Sequence, residues 1–81
     1  MLQVTDKNNN ILYAAYTRDV LSNPERFHCN IYSDRTGINK VDSFDINPLL
    51  LYDYFDLEYL KQIQEIEEYI RNFCANKVYS V

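Results

Sequence analysis

Phe27-His28-Cys29-Asn30-Ile31-Tyr32 is the stretch on which the fold turns. Phe27, Cys29 and Ile31 fall on one side of an extended chain and His28, Asn30 and Tyr32 on the other, the period-two pattern of an antiparallel strand buried on one face. Asp34-Arg35-Thr36-Gly37 follows, placing the sole glycine of the chain where a positive φ would close a hairpin. The return strand is expected over Lys40 to Ile46. Val41 and Phe44 do not share a parity there, which calls for a bulge or an irregular edge.

On the N-terminal side, Asn23-Pro24 interrupts the chain, because proline lacks an amide donor and restricts the residue before it. Leu2-Gln3-Val4-Thr5 alternates, Asp6 to Asn10 is polar and turn-prone, and Ile11 to Tyr16 is apolar and aromatic. That order spells a hairpin. A helix from Asn10 to Leu21 competes with it, since Leu12, Tyr16 and Val20 lie four apart.

On the C-terminal side the period changes. Asn47-Pro48 is a helix start, with Asn as cap and Pro at the first helical position. Leu49, Leu50, Leu51, Tyr52 and Phe55 then read as a short helix. Asp56 could cap a second one, with Phe55 and Leu60 forming a hydrophobic staple, or the two could run on as one. From Leu57 to about Ala75, Leu60, Ile63, Ile66, Ile70, Phe73 and Cys74 recur at three and four, the stripe of a helix lying on a core. The tail from Lys77 to Val81 is open between fraying and adding an edge strand. The expected fold is α+β: a three- or four-stranded antiparallel sheet packed against a long C-terminal helix preceded by a shorter one. A single domain is expected over 1–81, mainly β in 1–46, helical in 47–76, with a tail at 77–81.

Composition narrows the function. A chain of 81 residues buries only about 60% of its unfolded surface, so a second core is excluded. The net charge of −4 disfavours DNA, RNA and anionic lipid as direct partners. No apolar run approaches a membrane span. The N-terminus lacks a basic region followed by an apolar core, so a cytoplasmic protein is expected, and the initial Met and short length suggest a complete small protein. Cys29 and Cys74 lack metal or redox spacing and read as a buried, reduced pair.

Catalytic signatures are sparse: there is no GxSxG, P-loop, GxGxxG or HExxH. His28 and Cys29 are adjacent, so on a strand they point to opposite faces and cannot work together. Asp53 and Asp56, three apart, would share one side of a continuous helix and could hold a hard cation for a hydrolase or nuclease. Acids at a helix start already have a capping and dipole role, however, and no catalytic residue, metal or cofactor is assigned.

The strongest functional signal is charge distribution. Asp42 to Glu68 carries eight acids against one base, Lys61. Five of them, Asp56, Glu58, Glu65, Glu67 and Glu68, match the linear phosphate density of one nucleic-acid strand, but on a helical wheel they divide between faces beside Lys61 and Arg71. Glu67 and Arg71 are spaced for an i, i+4 pair. The expected partner-binding surface is therefore Asp42, Asp45, Tyr52, Asp53, Tyr54, Asp56, Glu58 and Tyr59, aromatic anchors within acids and suited to a partner rich in Arg and Lys.

The leading expectation is a non-catalytic acidic inhibitor docking on the basic nucleic-acid-binding patch of a larger protein. A phage-type counter-defence or host-takeover protein, such as an inhibitor of a CRISPR nuclease or a restriction enzyme acting in the host cytoplasm, fits this type. The alternative is a self-associating domain, a homodimer for example, that binds a small ligand between protomers with Tyr13, Tyr16 and Tyr32 in the pocket.

Overall fold

The computed structural model describes residues 1–23, 25–51 and 53–80. Four strands, β1 (Leu2–Thr5), β2 (Ile11–Asp19), β3 (Arg26–Tyr32) and β4 (Lys40–Ile46), form an antiparallel sheet in the order β1-β2-β3-β4. The competing helix over residues 10–21 does not form. Each turn has a local chemical reason. Asn9 takes φ 62°, and the Asp6 carboxylate accepts from the amides of Asn8 and Asn10, both at 2.9 Å, so the β1–β2 link folds on its own side chain. Asp19 does the same for Leu21 and Ser22 after β2. In the β3–β4 link Asp34 accepts from the Ile38 and Asn39 amides, and Gly37 sits at φ 76°.

The register between β3 and β4 shifts beside Ile31 and Tyr32. Ile31 faces Asp42 and Tyr32 faces Lys40, leaving Val41 as the extra residue. This resolves the parity conflict, because Phe44 and Ile46 stay on the core side with Cys29 and Phe27 as cross-strand partners.

One helix, α1 (Tyr59–Ala75), covers one face of the sheet. Ile66, Ile70 and Cys74, spaced by four, meet Val4, Leu12, Ala14, Phe27, Cys29, Ile31 and Ile46 in a single core. Burying each isoleucine removes apolar area worth about 1.5–3 kcal/mol. Phe73 stacks on Phe44 with ring centroids 3.8 Å apart. The stripe weakens toward the start of α1, where Leu60 is exposed.

The expected short helix becomes two single 3-10 turns, Pro48–Leu50 and Tyr54–Asp56. Asn47 does cap the first, its side-chain oxygen accepting from the Leu49 amide at 3.0 Å, with Pro48 in place. Leu51 then turns extended, and Asp53 adopts a left-handed conformation at φ 56°. This break lets Tyr54 enter the core edge-on to Phe27, with centroids 6.2 Å apart. Burial of Pro48 and Tyr54 outweighs continuation of a short helix, whose nucleation is unfavourable. The residue preceding α1 in the cap position is Glu58, not Asp56, and it makes no side-chain cap bond. Phe55 and Leu60 consequently form no staple.

The described part of the tail, 77–80, is pinned without joining the sheet. The Lys7 amide donates to the Lys77 carbonyl at 2.9 Å, and the Tyr79 amide donates to Asp6 Oδ2 at 3.2 Å. The Tyr79 hydroxyl donates to Asp42 Oδ2 at 2.6 Å.

Candidate functional site

The structure divides the eight residues of the expected contact surface into three groups. Tyr52 lies outside the described residues. Asp42 is half-buried and Tyr54 belongs to the interior. Asp42 is on the helix-covered side of β4 and holds the tail through Tyr79 and through Lys77 Nζ at 3.4 Å. Burial alone would raise its carboxyl, yet the bonds from Tyr79, the Ser43 amide and Lys77 leave it below the usual range. Tyr54 is only 1% exposed. Burial pushes its phenol up, and it offers no surface to a partner. These two are corrected: an inward-facing carboxylate and a core ring carried the same sequence signature as surface groups.

Asp45 is exposed but engaged, its Oδ1 2.7 Å from His28 Nδ1 on the opposite sheet face. Asp53, Asp56, Glu58 and Tyr59 remain exposed around the second 3-10 turn and the start of α1. None of these three acids has an ion-pair partner among the described residues. Because Asp53 precedes a 3-10 turn and Asp56 closes it, the continuous helix face that would have aligned them for a cation is absent. Among the described residues no group of three acids, histidines or cysteines could hold a metal ion.

Sequence reasoning missed the apolar half of this region. Leu49, Leu50, Phe55, Tyr59 and Leu60 are between 54% and 80% exposed. Leu49, Leu50, Phe55 and Leu60 stand at positions expected to be helical, and Tyr59 in the expected contact surface; with two turns in place of the short helix, Pro48 and Tyr54 go inward and these five side chains stay outward. The feature is five large apolar groups within 12 residues, interspersed with Asp53, Asp56 and Glu58.

Other expectations are redistributed. Glu67 turns toward the sheet, and its Oε2 accepts from the Tyr16 hydroxyl at 2.8 Å, so it forms no ion pair with Arg71 and no part of an outward anionic row. Burial first, then this bond, pushes the Tyr16 phenol up to about 12. Tyr16 is thereby separated from Tyr13 and Tyr32, which are cross-strand partners on the open face of the sheet. The three tyrosines do not line one pocket. A groove of about 350 Å3 lies between β1 and α1, lined by Gln3, Val4, Thr5, Arg71, Asn72 and Ala75, and contains none of the expected site residues.

Cys29 and Cys74 are buried free thiols. Burial, then the neighbouring Cys74, pushes Cys29 up to about 12, which removes it from nucleophilic chemistry. Beside it on β3, His28 has different company: Asp45 directly across and Ser43 diagonally across on β4. Ser43 Oγ is 3.1 Å from His28 Nε2. This cluster of residues 15 and 17 apart carries no sequence motif.

No helix among the described residues is long and apolar enough to cross a membrane. No family model matches this sequence, and no curated protein or solved structure matches it either.

Proposed function

We propose that this chain is a small acidic binding protein that docks the region 49–60 on a basic patch of a larger protein and blocks that patch. The observation that carries the reading is the cluster Leu49, Leu50, Phe55, Tyr59 and Leu60, exposed amid Asp53, Asp56 and Glu58, acids with no ion-pair partner among the described residues. Exposed apolar area supplies affinity once water is displaced, while the acids steer a basic partner and reject an acidic one. The role needs no reaction. In the fullest form of the reading the partner is a nucleic-acid-processing defence enzyme, such as a CRISPR nuclease or restriction enzyme. The protein is then of phage type, acting in the host cytoplasm.

Two variants test the reading by separate routes. Asp53, Asp56 and Glu58 changed together to Lys reverse the steering charge; Leu50→Asp with Phe55→Asp removes the apolar contact. Affinity capture from the host lysate at low and high salt should yield a basic protein with the native chain and lose it with both variants. Undiminished capture by the charge-reversed variant would rule out the acids as the contact. A stable dimer in light scattering, lost on Leu50→Asp, would instead assign the apolar cluster to a second copy.

A further inference from the structure

Side chains from β3 and β4 meet on the open face of the sheet, away from α1, in an arrangement unrelated to the docking region. Asp45 Oδ1 lies 2.7 Å from His28 Nδ1, and Ser43 Oγ lies 3.1 Å from His28 Nε2. A carboxylate only accepts, so the proton of the neutral imidazole resides on Nδ1 and the Nε2 lone pair is directed at the Ser43 hydroxyl. Asn30 Oδ1 is also 3.1 Å from Nε2. Its oxygen can accept from that nitrogen only once the nitrogen carries the proton taken from Ser43.

The antiparallel register creates the cluster: His28 faces Asp45 and Asn30 faces Ser43, so the residues form a two-by-two block on one face. We propose that Ser43 is an activated nucleophile that takes the acyl group of small, unhindered esters with good leaving groups. Ser43 Oγ attacks the carbonyl carbon as His28 Nε2 takes its proton. The carbonyl–oxygen bond to the leaving group then breaks, and the proton passes from Nε2 to the departing oxygen. Water, deprotonated by the same nitrogen, releases the acid and restores the serine. Asp45 is a positioning residue that holds the Nδ1–H tautomer.

The surroundings set the substrate class. Ala15 and Thr17 on β2 are the cross-strand partners of Asn30 and His28, and β4 is an edge strand, so no wall surrounds the serine. A donor can approach freely, but nothing grips a long chain or a particular headgroup. The side-chain amide of Asn30, across from Ser43, is one neutral donor on that face for the developing oxyanion.

The test uses the full chain with two probes: a fluorophosphonate, which leaves a stable adduct as fluoride departs, and p-nitrophenyl acetate. The expected result is a single adduct mapped to Ser43 by mass spectrometry, absent in Ser43→Ala. It should form about 10²-fold more slowly in His28→Ala, the lower end for general-base catalysis. Acetate release should follow the same order. Asp45→Asn should slow both reactions and Asp45→Glu restore part of the rate, which a purely structural role would not give. His28, Ser43 and Asp45 are all exposed, and circular dichroism checks that each variant is folded. Absence of an adduct, an adduct elsewhere, or equal rates in native and His28→Ala protein would overturn the proposal.

Discussion

Replacing Tyr79 by Phe probes the contact that closes the end of the molecule where the tail returns. The ring is half-buried against the core and stays in the variant; only the hydroxyl, 2.6 Å from Asp42 Oδ2, is lost. The Asp42 side chain is 22% exposed, so water replaces the lost donor poorly. Lys77 remains near it, at 3.4 Å. A hydrogen bond to a charged group contributes about 1.5–3 kcal/mol, and the remaining lysine places the expected cost at the lower end, about 1.5–2 kcal/mol. Unfolding entropy for a chain of this length converts 1 kcal/mol into about 6 °C, so Tm should fall by about 9–12 °C in a calorimetric or circular-dichroism melt at neutral pH.

The pH dependence has a definite sign. Asp42 is held below the usual carboxylate range, so the stability it contributes is present above its unfolded pKa and is lost as pH falls through the lower folded value. The gap between the native and Tyr79→Phe proteins should therefore narrow in acid, as a neutral carboxyl accepts a weaker bond. A Tm loss under about 3 °C at neutral pH, or a gap unchanged down to pH 2, would refute the reasoning on magnitudes for charged hydrogen bonds. An Asp42→Asn change added to Tyr79→Phe should cost less than it does in the native background, because the two share one interaction.

Tyr54→Ala should cost about 3–5 kcal/mol, as for other large aromatic truncations, and leave little folded protein in a urea titration, whereas Asp53→Lys should shift the midpoint only slightly. Tyr16→Phe should destabilise by about 1 kcal/mol through loss of the bond to Glu67. In a spectrophotometric alkaline titration, Tyr16 should ionise near 12. Its raised pKa contributes stability that is present below about 10 and lost as pH rises through 12. Cys29 and Cys74 should be inert to a thiol reagent in the native protein and both react on unfolding; rapid reaction of either in the native state would contradict their burial.

How much of this was legible in the sequence depended on the range of the interaction. Alternation in Phe27 to Tyr32 marks a half-buried strand because side chains on an extended backbone must alternate, whatever lies nearby. Ile66, Ile70 and Cys74 mark a helix for the equivalent reason at a period of 3.6. Turn signals at Asp6, Asp34 and Asn47 were readable too, since each side chain bonds to amides within five residues. The Leu49–Tyr59 segment defeated the same reasoning. Its apolar density suits a helix, but only the presence of Phe27 across the core decides that Tyr54 turns inward and Phe55 outward.

The sequence by itself determined an α+β chain, its strands, its long helix and an acidic second half, because local sterics and periodic burial act within a few residues. Only the tertiary structure decided which acids are free. Asp42 meets Tyr79 across 37 positions, and Glu67 meets Tyr16 across 51. His28 gathers Asp45 and Ser43 by register alone. Hydrogen bonds of this kind depend on which strands lie side by side and which face the helix covers, and no spacing along the chain encodes that.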